Sequence, residues 1–292
     1  MEVFKKSDLK KLKKPKDDSS NEDNGQVTII GGSSLFHGAP ILSLKTASRF
    51  ADMVFFATPE ESVGRVAERA KAKLLSFIWV PWEEVGDYIA KSDAVLIGPG
   101  FMRYRKEKDK PVQDGRDKVG EKTRKITKDL LSLFPEKKWV IDAGSLQVMD
   151  EKWIPEGSVI TPNSGEFELL FKCRFEGSGF EITKNNVRLV SKKAGEHNCV
   201  IVVKGPETLV CSSDRCVVVL GGNPGMTKGG TGDVLAGLAC AFLAQNEAFL
   251  AACAASYVLK AAGDSLHEVR GIGYNADDLA EKVPETFSGL LK

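Results

Sequence analysis

Short apolar runs recur along the chain, each apolar on both faces: Val27-Thr28-Ile29-Ile30, Met53-Val54-Phe55-Phe56, Ala94-Val95-Leu96-Ile97, Trp139-Val140-Ile141-Asp142 and Val200-Ile201-Val202-Val203. Runs of this kind, rich in β-branched and aromatic residues, are how buried parallel strands look. Between them lie helical patterns, over Glu61–Lys71, Lys118–Phe134 and Thr183–Ala194. Alternation of strand and helix predicts a mainly parallel central sheet covered on both sides, a three-layer α/β/α fold. One stretch departs from the alternation. Thr208–Cys211 and Val217–Leu220 flank a polar turn and read as an antiparallel hairpin. The last third is helical, from Asp233 through Ala244, Glu247 to about Leu266, and Ala276 onward.

No repeat and no internal linker divides the chain, so residues 25–292 read as one domain. Residues 1–24 are rich in Lys, then in Asp, Ser and Asn, and read as a charged, solvated and partly flexible arm. The segment Met102–Lys122 is densely charged and follows a glycine-rich turn. A mobile surface loop at the mouth of a site is expected there.

Length and charge narrow the classes. A chain of 292 residues buries a full core. The net charge of +1 points to neither nucleic acid nor a membrane surface as partner. No apolar run reaches the roughly 20 residues of a membrane-crossing helix, and no signal-peptide core follows Met1-Glu2-Val3-Phe4-Lys5-Lys6. A cytoplasmic protein is expected. Three histidines at scattered positions do not make a His-based metal site. Cys199, Cys240 and Cys253 lie in apolar stretches and read as buried thiols. Cys211 and Cys216 flank the turn Ser212-Ser213-Asp214-Arg215 and could face each other, but a reducing cytosol would keep them as thiols.

The richest chemistry lies in Gly221-Gly222-Asn223-Pro224-Gly225-Met226-Thr227-Lys228-Gly229-Gly230-Thr231-Gly232-Asp233. A strand ends at Leu220, a glycine-dense loop follows, and a helix opens near Gly232. Glycines let backbone N–H groups turn inward on an anion, and the helix N-terminus adds its positive dipole end. The loop thus reads as a cradle for a diphosphate. Asp233 beside it could take a proton from an attacking hydroxyl, or simply stabilise the helix N-terminus. So many glycines are excessive for a cap, and Asp233 is read as the catalytic carboxylate. The loop is neither a Walker A sequence nor a Rossmann fingerprint.

Six motifs in order carry a wider resemblance. They are Gly31-Gly32-Ser33 with Gly38-Ala39, Gly98-Pro99-Gly100-Phe101, Asp142-Ala143-Gly144-Ser145-Leu146, Thr161-Pro162-Asn163-Ser164-Gly165-Glu166, Val203-Lys204-Gly205-Pro206-Glu207-Thr208, and the glycine loop through Leu235. Over nearly all of 25–292 the chain resembles the ADP/ATP-dependent NAD(P)H-hydrate dehydratases of the ribokinase-like superfamily, and even the Lys-rich arm resembles the family's start. That family restores hydrated NADH and NADPH by phosphorylating the ring hydroxyl of the S epimer and eliminating phosphate, with ADP or ATP and Mg2+. The resemblance implies nucleotide contacts at Lys204, Gly205, Pro206, Glu207, Thr208, Asn223, Gly229, Gly230, Thr231 and Gly232. It implies contacts to the hydrated dinucleotide at Ala39, Gly100, Asn163 and Asp233. Lys204 would give a point charge to phosphate, and its alternative is a strand-end lysine in solvent. Glu166 would help position magnesium or water, or serve only as a helix-start carboxylate.

Three positions depart from the family pattern. Asn163 stands where bacterial members usually have His, and Asn is familiar from eukaryotic ones. Phe101-Met102-Arg103 replaces the usual third glycine after Gly98-Pro99-Gly100. Asp142-Ala143-Gly144-Ser145-Leu146 lacks the second carboxylate. Many members carry an N-terminal epimerase domain; here epimerisation is expected from a separate protein. A homotetramer is the family's familiar assembly. The alternatives are another ribokinase-like vitamin kinase, of the thiazole or pyrimidine type, and an inactive nucleotide-binding regulator.

Overall fold

The computed structural model describes the chain except residues 21, 71–73, 105–116 and 178–179. Most of the segment expected to be a mobile loop, residues 105–116, therefore lies outside the described residues. At its near end Met102 is buried, and at its far end a helix begins at Lys118.

Ten strands among the described residues form one sheet: β1 (Glu2–Val3), β2 (Gln26–Ile30), β3 (Met53–Ala57), β4 (Ile78–Val80), β5 (Ala94–Ile97), β6 (Lys138–Ile141), β7 (Val159–Ile160), β8 (Val200–Val203), β9 (Thr208–Cys211) and β10 (Cys216–Val219). Their order across the sheet is β1-β10-β9-β8-β7-β6-β5-β2-β3-β4. All pair in parallel except β9, which runs antiparallel to both β8 and β10. The helices are α1 (Gly38–Ala47), α2 (Glu61–Ala70), α3 (Val85–Lys91), α4 (Lys118–Leu133), α5 (Ala143–Val148), α6 (Ser164–Phe171), α7 (Lys184–Glu196), α8 (Thr231–Gln245), α9 (Ala248–Arg270) and α10 (Ala276–Leu291).

Strand pleating divides the core in two. Val27 and Ile29 of β2, Leu96 of β5, Val140 of β6 and Val202 of β8 pack with α1, α8, α9 and α10. Ile30, Ile97, Ile141 and Ile201 point the other way, onto α3 through α7. Both faces are covered, which is why these strands read as continuous apolar runs. Helix α8 is buried from Val234 through Ala244. It lies between α1 and α9 and against the sheet, so it is apolar all round. No helix among the described residues is long and apolar enough to cross a membrane.

Two expectations fail. The N-terminal arm is docked, not solvated throughout. β1 pairs with β10, Glu2 opposite Val217, and the Phe4 N–H donates to the Val218 carbonyl at 3.0 Å. Phe4, Leu9 and Leu12 are buried in the α8–α10 layer. Each fully buried leucine contributes about 1.5–3 kcal/mol, enough to hold a short turn among lysines. The second failure is at the hairpin, where Cys211 and Cys216 form a disulfide. They are directly opposed in the antiparallel ladder with Cα atoms 4.1 Å apart, and the Ser212 N–H closes the turn on the Arg215 carbonyl at 2.9 Å. Cys199, Cys240 and Cys253 are buried thiols as expected, and burial pushes those of Cys199 and Cys253 up to about 12.

Candidate active site

The parallel strands end along one edge of the sheet, and the chain's polar motifs follow those ends. This edge, outside the carboxyl ends of the strands, is where open α/β sheets place ligands. Two cavities lie there, one on each side of the turn that starts α8.

The first cavity has a volume of about 620 Å3 and is lined by Lys204, Gly205, Pro206, Thr208, Gly222, Asn223, Thr231 and Gly232, with Asn163 at one side. Ser256, Leu259 and Lys260 of α9 also line it. The second, of about 840 Å3, is lined by Leu35, Phe36, Ala39, Gly100–Tyr104, Ala143, Gly144, Gln147, Gly229, Gly230 and Asp233. Within the turn, residues alternate between the two sides: Gly229, Gly230 and Asp233 face one, Thr231 and Gly232 the other.

Gly230 makes this turn possible. Its φ is +97°, and a Cβ there would lie 2.6 Å from Leu42 and 2.8 Å from Ala276. Only glycine enters this conformation without strain. The Thr231 hydroxyl donates to the Met226 carbonyl at 2.8 Å and fastens the loop below. The Ser43 hydroxyl of α1 donates to the Asp233 carbonyl at 2.8 Å, which ties the start of α8 to α1.

Between the cavities lies a small ionic group. Asp142, at the end of β6, is buried; its Oδ1 accepts from Thr161 Oγ1 at 2.7 Å and from Lys204 Nζ at 2.8 Å. Glu166 Oε2 is 3.7 Å from the same ammonium. Burial works against the charge of Lys204, but the two carboxylates outweigh it and raise its pKa. Among the described residues Asp233 has no such direct ion-pair partner. Burial pushes its pKa up to about 7; the negative charges of Asp142 and Glu166 add to this, and Lys204 opposes it. A carboxylate that titrates near neutrality beside a helix N-terminus can accept a proton from a substrate hydroxyl at physiological pH. Ala143, between Asp142 and Gly144, sits at φ +48°, a region costly for a residue with a side chain.

Most of the residues expected from the sequence come together here, with some exchanged between cavities. Lys204, Gly205, Pro206, Thr208, Asn223, Thr231 and Gly232 share the first cavity. Gly229 and Gly230, expected with them, line the second, together with Ala39, Gly100 and Asp233. Asn163, expected beside Ala39 and Gly100, stands in the first cavity instead. Its Oδ1 accepts from the Glu166 N–H at 2.9 Å and caps α6. Glu207 is on an exposed turn and lines neither cavity. Lys204 is neither a solvated strand end nor a free point charge, since Asp142 already pairs it.

Glu166 fits its helix-start reading. Its Oε2 accepts from the Asn163 N–H at 2.8 Å and its Oε1 from Gln147 Nε2 at 2.9 Å. Among the described residues no cluster of three or more His, Cys, Asp or Glu side chains could hold a metal ion. Lys260 and Asp264 of α9 escaped the sequence reading altogether, because nothing in an alanine-rich helix marks them.

The family model for NAD(P)H-hydrate dehydratase matches residues 27–285. The bifunctional NAD(P)H-hydrate repair enzyme of Methanocaldococcus jannaschii is 33% identical over 282 residues, 96% of this chain and 51% of that protein. The chain thus spans about half the length of the bifunctional relatives it matches. The ADP-dependent (S)-NAD(P)H-hydrate dehydratase of Cenarchaeum symbiosum is 30% identical over 285 residues, 92% of this chain and 91% of that protein. The ADP/ATP-dependent NAD(P)H-hydrate dehydratase of Bacillus subtilis, co-crystallised with ATP and Mg2+, has the same fold, with a TM-score of 0.76 at 19% identity over 99% of this chain and 98% of that one. A ribokinase-like protein of Enterococcus faecalis gives 0.78 at 22% identity, with 99% and 96% covered. The match over residues 27–285, together with relatives at 30% identity or more across over nine-tenths of the chain, shows that this protein belongs to the NAD(P)H-hydrate dehydratase family and has the ribokinase-like fold.

Proposed function

We propose that the chain dehydrates the S epimer of hydrated NADH and NADPH, with ADP or ATP as co-substrate. One observation carries this reading: Asp233, with its pKa raised to about 7, lines one cavity while the adjacent Gly232 lines the other. The nucleotide is assigned to the first cavity, its phosphates toward Gly232 and the N-terminus of α8. The hydrated nicotinamide is assigned to the second, against Ala39 and Gly100. Asp233 takes the proton of the ring hydroxyl as its oxygen attacks the terminal phosphorus, and the P–O bond to the rest of the nucleotide breaks. Phosphate then leaves with the ring C–O bonding pair, the neighbouring ring carbon loses a proton to water, and its C–H pair forms the ring double bond of the restored reduced nicotinamide. ADP would yield AMP, and ATP would yield ADP.

Magnesium fits here as an ion carried on the nucleotide phosphates, because the ammonium of Lys204 already serves Asp142 and Glu166; it would supply charge neutralisation at the transferring phosphoryl group. A separate epimerase and a homotetramer belong to the same reading and rest on the family resemblance, and a cytoplasmic location rests on the charged N-terminal sequence. Light scattering on the purified protein tests the tetramer.

The test of activity is recovery of absorbance at about 340 nm from hydrated NADH, offered with Mg2+ and ADP, with ATP, or with no nucleotide. Recovery is expected only with a nucleotide. Equal recovery without one overturns the coupled reaction. Phosphate transfer to a thiazole or pyrimidine alcohol, with hydrated NADH left untouched, would favour a vitamin kinase instead.

A further inference from the structure

Two ionisable residues of α9 take no part in the proposed chemistry, yet both grip the walls of the first cavity. Lys260 is buried, 6% exposed. Its Nζ donates to the carbonyls of Pro206 at 2.6 Å, Gly221 at 2.8 Å and Gly205 at 3.3 Å. An ammonium has three donors, so none is left over for a phosphate. One helical turn later, Asp264 accepts from the Gly222 N–H at 2.9 Å and from Asn223 Nδ2 at 3.0 Å. Asn223 Oδ1 in turn accepts from the Gly225 N–H at 3.0 Å and the Tyr274 hydroxyl at 2.8 Å. The loop after β8 and the loop after β10 thus end on one turn of one helix. The loop after β8 gives carbonyls to the cation, and the loop after β10 gives one carbonyl to the cation and two N–H donors to the anion.

We infer that Lys260 and Asp264 are positioning residues that set the separation of the two walls of the first cavity, and through it the affinity for the nucleotide. This rests on the assignment of the nucleotide to that cavity. Gly205 and Pro206 form one wall, Gly222 and Asn223 the other, and Lys260 lies between them. Three carbonyl oxygens that converge on one point repel each other unless a cation sits there. Without the ammonium the walls move apart. Burial lowers the pKa of Lys260, and the charges of Asp264, one turn away, and of Glu207 oppose that.

The test compares the wild type with Lys260→Met, which keeps the unbranched stem, and Asp264→Asn, which keeps the volume. Calorimetry measures ADP and ATP binding, and amide exchange is followed at 205–208 and 221–226 without nucleotide. The expected result is a Kd and nucleotide KM raised about tenfold, faster exchange in both loops, and an unmoved pH–rate inflection near 7. Asp264→Asn carries the test if Lys260→Met does not fold. Wild-type affinity and exchange in the folded variants overturn the inference, and so does loss of the fold in both, which would make the pair a core element. A wild type that binds neither nucleotide defeats the functional assignment instead, while exchange still reports on the loops.

Discussion

Lys204 and Asp142 form a salt bridge of 2.8 Å at the edge of the sheet, with Asp142 almost wholly buried. Burial is the main cause of the raised Asp233 pKa, and this pair adjusts it. Asp142 raises the Asp233 pKa by its negative charge, and Lys204 lowers it. Asp142→Asn removes the repulsion and leaves the ammonium with one partner fewer. Both effects favour the Asp233 carboxylate. The activity should therefore rise with pH through about 7 in the wild type, and at a lower pH in the variant. A pH–rate profile checks this. An inflection that does not move would mean that another group controls the rate.

Asp233→Asn keeps the shape but cannot take a proton. A positioned general base contributes about 10²–10⁴-fold, and single-turnover rates should fall by about that factor with little change in ADP affinity. Stability supplies a second readout. The folded-state pKa of about 7 lies above the ordinary 3.8. The folded chain therefore holds this proton more tightly than the unfolded chain, and the associated stability is full below about 4 and lost as pH rises through 7. Asparagine is neutral throughout. The variant should gain melting temperature relative to wild type between pH 5 and 8. A variant with wild-type rate would leave Asp233 as a helix cap.

Gly230 and Gly229 are neighbours with different tolerances. Gly230→Val meets Leu42 and Ala276 at under 3 Å and demands a left-handed β-branched residue. At Gly229 no atom lies within 4 Å of an added Cβ. Gly230→Val should abolish ADP binding, whereas Gly229→Ala should bind nearly as the wild type does. Calorimetry on both decides whether the steric argument holds.

Much of the layout was legible because buried parallel strands are apolar on both faces. β2, β3, β5, β6 and β8 match their expected runs within a residue or two. β7 has two residues and β4 three, too short for any period to register. Leu9 and Leu12 were hidden among lysines, and only a view of the α9–α10 surface shows what they cover. Motif order brought Asp233, Gly100 and Lys204 to one edge. It did not separate the two sides of the turn, since residues adjacent in sequence point into different cavities. The Asn163 side chain went to a cap, a local competition that sequence spacing alone leaves open.

Gly144 accounts for the missing second carboxylate. A Cβ at this position would lie 2.2 Å from the Phe101 carbonyl. The Phe101 backbone thus leaves no room for a side chain at Gly144. Gly144→Asp should cost about 1–3 kcal/mol through overpacking, seen as a lower melting temperature, and should narrow the second cavity. An unaffected melting curve would show that the 101–104 segment yields.

The two-residue strand β1 lies at one margin of the sheet and the three-residue β4 at the other. Each leaves few unpaired backbone groups, so neither margin can template a strand from another molecule over any length. Residue 2 must meet residue 217 to complete this margin, so that contact closes a very long loop and belongs late in folding. Until then β10 lies bare, and the interval before the arm docks is when the protein is most exposed to self-association.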